Sequence, residues 1–430
     1  MKSFLNNFLL PVLMKIINFK AIVAVKNGIL YVMPLTIVGA VFLLLTNFPY
    51  APVVDFLKTV HLYEAFRQVS WSTYNIIAIV AAVAIANEYV KAEGLQSGLT
   101  AGFISLVTFF VIQDHFILQG ESIVGGILNK RWTGAQGMVA AILIGLFVGY
   151  VFSWFLKRNI RIKLPESVPE GVANVFNGLI PAVVIFFVAA FVYAIFNYAW
   201  GTTFVEAIYK VIQTPLQGMT DSLPGVIAVA FLMPFLWFFG VHGASIVGGV
   251  INPILLTNMT DNANIVTSGV PLTLQNGHIV TMQFKEAFLT ITGSGITIGI
   301  VVFMLFFAKS AQNKQLGKLG SIPMLFNINE PILFGTPIVL NPLLAIPFML
   351  MPVISAILTY SALYFGLVPL FSGVTVPWTT PPIISGFVIA GWRGALLQLI
   401  ILTISCIFYY PFMRRFDKLN LDLEKHADSK

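Results

Sequence analysis

Residues 322–342 read IPMLFNINEPILFGTPIVLNP, and the class of this protein turns on that stretch. Apolar side chains dominate it, yet Asn327, Asn329, Glu330 and Asn341 interrupt it, and Pro331, Gly335, Pro337 and Pro342 break regular helical hydrogen bonding. From Leu319 to Trp392, Glu330 is the only Asp, Glu, Lys or Arg. An ionisable group at membrane depth costs roughly 2.5–3.5 kcal/mol on insertion scales and by default marks a functional site. Broken backbone at that depth is tolerated only where it is buried in protein or lines a cavity. The stretch therefore reads as a broken segment inside a membrane protein, with its acid turned toward a polar ligand.

The rest of the chain agrees. Of 430 residues, 58% are hydrophobic and 10% charged, where soluble domains carry about a quarter charged residues. Apolar blocks at 28–48, 73–90, 98–116, 136–156 and 176–199 each approach the length a helix needs to cross a bilayer. Further blocks follow at 224–240, 286–308, 344–366 and 393–413, with two interrupted ones at 243–257 and 322–343. The expected fold is all-α, a polytopic membrane protein with about ten transmembrane helices plus two re-entrant or broken hairpin segments.

A formal charge of +7 invites a nucleic-acid reading, but the positions of the charges exclude it. Lys2, Lys15, Lys20 and Lys26 precede the first long apolar block, Lys157, Arg158, Arg161 and Lys163 cluster between two blocks, and Lys309, Lys314, Lys318, Arg414, Arg415 and Lys418 flank others. Basic residues beside spans mark the cytoplasmic side, so the excess describes topology, with both termini expected in the cytoplasm. No basic patch is interleaved with aromatics. The single cysteine, Cys406, lies within an apolar run and has no disulfide or metal partner by spacing. The N-terminal stretch lacks the clean apolar core and cleavage site of a signal peptide.

Four regions are expected: an amphipathic interfacial helix over 1–27, an N-terminal bundle over 28–175, a C-terminal half over 176–413 carrying the broken segments near 240–257 and 322–343, and a charged tail over 414–430. The linker 157–175, with LPESVPEG at 164–171, is the best boundary. Gly293, Gly295 and Gly299 in GSGITIGI are expected to form a small-residue helix-packing face. Whether 243–257 crosses or re-enters is open at this level.

Three motifs carry candidate chemistry. In NINEPILFGTP the carboxylate of Glu330 and the amides of Asn327 and Asn329 suit a ligand with many hydroxyls, although an acid before Pro331 also suits a helix start. In FFGVHGAS, His242 stands between Gly240 and Gly243, which permit close backbone approach. A histidine satisfied by a backbone carbonyl is the plainer alternative. In VPWTTPP, Trp378 offers a face for stacking on a sugar ring, with Thr379 and Thr380 as hydroxyl donors, although an interfacial anchor is the competing role. The other histidines, His61, His115, His278 and His426, have no zinc-ligand spacing to His242, and no cofactor motif occurs.

Taken together, GVHG, NINEPILFGTP, VPWTTPP, the linker IKLPESVPEGV at 162–172 and LIPA at 179–182 resemble the enzyme IIC component of the lactose/cellobiose/N,N′-diacetylchitobiose family of the bacterial phosphoenolpyruvate-dependent phosphotransferase system. The resemblance implies a ten-span homodimer with its dimer interface in the N-terminal half and a C-terminal half that carries the sugar across the membrane as a body. It places the family's hairpin glutamate at Glu330, its histidine at His242 and its tryptophan at Trp378. It implies a disaccharide substrate phosphorylated at its 6-hydroxyl by a separate, cysteine-phosphorylated enzyme IIB, supplied through a IIA protein and the general phosphocarrier protein. Glu330 and His242 are then the expected catalytic pair, orienting the hydroxyl or accepting its proton.

A proton-coupled sugar symporter, with Glu330 as the proton site, is the rival reading. Inverted repeats would favour it, and none is evident. A membrane-embedded enzyme or assembly subunit without transport is the third, and it leaves the matched pair of broken segments unexplained.

Overall fold

The computed structural model describes residues 19–46, 51–119, 122–162, 165, 176–239, 242–336, 338 and 341–428. Most of the interfacial helix expected over 1–27, and most of the boundary motif at 164–171, lie outside them.

By internal packing the chain divides into two compact units. One holds the described chain up to Gly218 together with Gly249–Thr267; the other holds Met219–Gly248 and the chain from Ser268 onward.

In the first unit, α1 (Lys20–Leu30), α2 (Met33–Thr46), α3 (Ala51–Thr59), α4 (Tyr63–Tyr74), α5 (Ile77–Ala92), α6 (Gly98–Val111), α7 (Met138–Lys157) and α8 (Leu179–Trp200) follow one another. The centre is α5, whose face of Ala78, Ala81, Ala82 and Ala86 is fully buried and packs against α1, α6 and α7. Small residues allow this close approach where lipid offers no hydrophobic drive for helix association. A Cβ on Gly145 of α7 would sit 2.9 Å from Ile85 Cβ, and Ser105 Oγ donates to Ala82 O at 2.9 Å. A hairpin of β1 (Phe116–Gln119) and β2 (Ser122–Gly125) pairs antiparallel with Ile117 opposite Val124. It is a local departure from a chain that is otherwise mostly helical, as expected; Phe116, Ile117, Ile123 and Val124 are of the types that favour pleated backbone.

After α8 come α9 (Phe204–Ile208), a π-turn over Tyr209–Gln213, α10 (Thr214–Thr220), α11 (Leu223–Phe238) and α12 (Gly243–Thr267). The interruption expected within 243–257 is instead just ahead of it, where α11 ends at Phe238, because α12 runs unbroken through Pro253. Thr257 Oγ donates to Pro253 O at 2.9 Å, the kind of hydroxyl contact that makes a proline tolerable in a membrane helix.

The second unit continues through a π-turn at Phe284–Leu289, α13 (Ile298–Phe306), α14 (Ala311–Leu325), α15 (Glu330–Gly335), α16 (Pro342–Tyr364) and α17 (Ile384–Asp428), which bends at Ala390–Gly391. Buried Gln398 stitches that bend to its neighbours, donating to Ala287 O at 2.8 Å and accepting from Ile383 N and Gly386 N at 2.6 and 3.0 Å. Asp417 caps the start of α14, accepting from Lys309 N, Ser310 Oγ and Asn313 Nδ2 at 2.8, 2.7 and 2.9 Å.

Among the described residues, six helices are long and apolar enough to cross a membrane, and Phe204–Thr220 with Leu223–Phe238, bent by 76°, makes a seventh if taken as one span. Continuous helices therefore fall short of the expected ten. The shortfall comes from apolar blocks that are not single helices: 98–116 is helical only over Gly98–Val111, and 286–308 is split between the π-turn and α13.

Candidate functional site

Among the described residues of the second unit, helical backbone is interrupted at 290–297 and at 326–329, and α11 and α15 end at Phe238 and Gly335. Each frees N–H and C=O groups that lipid cannot satisfy, and at 290–297 two asparagines take up one backbone donor and one backbone acceptor. Asn327 has a left-handed backbone (φ 62), a conformation that Asn tolerates better than most residues. Its Oδ1 accepts from Thr292 N at 2.7 Å, and its Nδ2 donates to Trp378 O and Thr380 O at 2.7 and 2.9 Å. Asn329, almost fully buried, donates to Ser294 O and Thr297 Oγ, both at 2.8 Å. Tyr409 and Ser405 of α17 donate to Gly295 O and Ile296 O at 2.8 and 2.6 Å.

This network overturns the expectation that Gly293 and Gly295 form a helix-packing face. Both have positive φ, 86° and 83°, and a Cβ on either would fall 2.2 Å from Asn329 or Phe348. Glycine is required by backbone conformation and by close approach. Thr292 and Ile296 also have positive φ; strain of this kind persists only where surrounding contacts hold it, and it clusters at functional sites.

The result is a cavity of about 300 Å³ within the second unit, at the lower end of the range for ligand pockets. Glu330, the first residue of α15, lines it together with exposed His242. The His242 ring lies 4.7 Å from Trp237, whose own ring lies 6.2 Å from Phe334 on α15. The two motifs, 88 residues apart in the chain, thus share one wall. Among the described residues Glu330 has no hydrogen-bond or ion-pair partner, and its carboxylate is available to a ligand. Trp378, 49% exposed, lines the same cavity and is held by the Asn327 bond to its carbonyl.

The other expected contacts divide by geometry. Asn327 and Asn329 line the cavity, but their amide donors are committed to the loops around it. Thr380 lines a smaller neighbouring recess shared with Trp378, Asn327 and Glu286. Thr379 lines neither. Gly243 is buried, and a Cβ there would fall 1.8 Å from Met233 O, so it permits the turn into α12 while Ala244 lines the cavity.

Sequence reasoning missed Lys285, Glu286, Thr290 and Ser294, all in the lining. The charged pair heads the apolar block 286–308 and reads as the polar edge of a span. A signal was available in Gln283, Lys285 and Glu286 standing together between apolar residues. Among the described residues no group of three or more His, Cys, Asp or Glu converges as a metal site. Carboxylates, an ammonium, an imidazole and a tryptophan around one cavity can hold a neutral polyol: hydroxyls donate to the acids, accept from the ammonium, and leave a C–H face for the indole.

Comparisons with known proteins point the same way. The family profile "Phosphotransferase system, EIIC" matches residues 26–352. The chain is 37% identical over 420 residues to the "Putative permease IIC component YwbA" of Bacillus subtilis (strain 168), covering 95% of this chain and 94% of that one. It is 35% identical over 436 residues to the "PTS system cellobiose-specific EIIC component" of Geobacillus stearothermophilus, covering 99% and 96%. The crystal structure of the transporter ChbC, the IIC component of the N,N′-diacetylchitobiose-specific phosphotransferase system, superposes with a TM-score of 0.92 at 33% identity, covering 98% of this chain and 99% of ChbC.

Proposed function

We propose a mechanism for this chain, which belongs to the EIIC family of the phosphotransferase system, in which a disaccharide is bound between His242 and Glu330 and delivered to phospho-enzyme IIB. The chain is a multi-pass membrane sugar permease, and relatives named for cellobiose and diacetylchitobiose support a β-linked disaccharide as cargo. The observation that carries the site is the Glu330 carboxylate, without a partner among the described residues, in the same cavity as His242. Buried without partners, each sugar hydroxyl would cost about 1–3 kcal/mol; the lining supplies those partners, which favours sugar over less hydroxylated solutes.

In the cycle, the sugar enters from outside and stacks on Trp378, while Asn327 and Asn329 hold the surrounding loops. The second unit then exposes it to the cytoplasm by moving as a body within a homodimer of about ten-span subunits. Both termini face the cytoplasm, consistent with basic clusters flanking the spans. There the 6-hydroxyl oxygen attacks the phosphorus of the IIB phosphocysteine. The P–S bond breaks, the thiolate leaves, and the hydroxyl proton passes to Glu330 or His242. Phosphoryl transfer depends chiefly on positioning and electrostatics, which a preformed cavity provides. The IIB protein is recharged through IIA and the general phosphocarrier protein.

The test is the chemical form of the accumulated sugar. In vesicles containing the chain and supplied inside with IIB, IIA, the phosphocarrier proteins and phosphoenolpyruvate, cellobiose should appear as a 6-phosphate and be indifferent to an uncoupler. Accumulation of free sugar abolished by the uncoupler would instead establish the symporter.

A further inference from the structure

Lys285 is the least expected residue in the cavity. Its side chain is 6% exposed and lines the sugar cavity, and among the described residues its ammonium has no hydrogen-bond acceptor and no ion-pair partner within 4 Å. The neighbouring Glu286 also lines the cavity, and its carboxylate likewise lacks a hydrogen-bonded partner among the described residues. A buried ammonium left without an acceptor is strongly unfavourable, and lysines in such surroundings pair with another group or mark a substrate path. The two charges stand next to each other in the chain yet do not close on one another. Because both line one cavity, a single group carrying a donor and an acceptor can satisfy the two together.

The backbone explains why both point inward. Consecutive side chains on an α-helix do not face the same way, but Lys285 and Glu286 fall in the π-turn Phe284–Leu289. A π-turn winds more residues into each turn, so neighbouring side chains diverge less. Single π-turns inside helices are frequent at functional sites.

The chemistry of the bridging group follows from the charges. An anionic ligand would face Glu286 and Glu330, and a cation would face Lys285. A neutral sugar meets neither objection, since one hydroxyl of a vicinal pair accepts from the ammonium while its neighbour donates to the carboxylate. We propose that Lys285 and Glu286 form a reader for a vicinal diol on the sugar ring, separate from the Glu330–His242 group that handles the 6-hydroxyl, and that they set which hydroxyl pattern the permease accepts. This rests on the site assignment made under Proposed function and deepens it.

The experiment is calorimetric titration of the purified full-length protein with cellobiose and its monodeoxy analogues, repeated with Lys285→Gln and Glu286→Gln. For the wild-type protein, removing either hydroxyl of one vicinal pair should weaken binding about tenfold or more, the scale of a hydrogen bond to a charged group. Each variant should bind cellobiose about 10- to 100-fold more weakly. In each, the penalty for deoxygenating the hydroxyl that the substituted residue reads should vanish, while the penalty for its neighbour and the 6-deoxy penalty survive.

Variants that bind cellobiose like wild type, or that keep every deoxy penalty unchanged, would overturn the proposal. So would a wild-type deoxy series in which no vicinal pair contributes, a measurement that needs no folded variant. If cellobiose binding depends on Glu330 but not on Lys285 or Glu286, the diol reader fails and the sugar site stands. If the wild-type protein binds none of cellobiose, lactose and diacetylchitobiose, both fall together.

Discussion

Asn329 donates to Ser294 O and Thr297 Oγ at 2.8 Å, and a Cβ on Gly293 would sit 2.2 Å from its amide carbon. One asparagine amide and one bare α-carbon thus hold part of the lining of the cavity. Gly293→Ala adds a methyl group where the amide lies and forces alanine to φ 86°. Overpacking of this kind costs about 1–3 kcal/mol. Thermal unfolding in detergent should register that loss, and cellobiose affinity should fall at least tenfold. Wild-type affinity in this variant would mean that the loop is not part of the site.

Glu330→Gln keeps the shape of the side chain and removes its charge. A hydrogen bond to a charged group is worth about 1.5–3 kcal/mol, so disaccharide affinity should drop roughly 10- to 150-fold. Phosphorylation by phospho-IIB should fall further if the carboxylate also accepts the hydroxyl proton. Unchanged binding and unchanged phosphorylation rate would remove Glu330 from the mechanism.

Asn327 joins three loops through one side chain, bonding Thr292 N, Trp378 O and Thr380 O. Asn327→Ala loses all three bonds and the residue type best suited to φ 62°, for an expected destabilisation of about 2–4 kcal/mol. Asn327→Asp retains the acceptor for Thr292 N but sets a carboxylate against two carbonyl oxygens. Both variants should loosen Trp378, read as a red shift and broadening of tryptophan emission with loss of the change on adding sugar. Identical spectra would show that the loop holding Trp378 is fixed by other contacts.

At the other end of the chain, Glu93 follows α5 and pairs with Lys20 and Lys157. Burial alone would push its carboxyl up, but the two ammonium groups outweigh burial and hold it below its ordinary value near 4.5. Because the folded value is the lower one, the contribution to stability is complete above the unfolded value and is lost as pH falls through the folded value. Glu93→Gln should therefore unfold at lower temperature than wild type at pH 7, with the gap closing toward pH 3. A gap that stays constant across that range would rule out the ion pairs as its source.

The membrane class and the identity of the central acid were legible in the chain. Hydropathy over about twenty residues is a local property, and so is the break in NINEPILFGTP. Lone Glu330 and His242 stood out because nothing charged surrounds them in sequence. By contrast, Lys285 and Glu286 looked like the rim of a span, and Gly293 and Gly295 like a packing face. Asn327 and Asn329 looked like direct ligand contacts, although their amide donors serve the loops around the cavity.

What the sequence alone determined, then, is the membrane class, the break in NINEPILFGTP and which acid is stranded among apolar residues, since each depends on neighbours along the chain. Only the tertiary structure decided that His242 and Glu330 share a wall, that the π-turn points a lysine and a glutamate inward together, and that two asparagines seal the loops around them. Those facts depend on partners 32 to 88 positions away, such as Thr297 for Asn329. A hydrogen bond is satisfied by whichever group the fold brings within about 3 Å, and residue spacing carries no record of it.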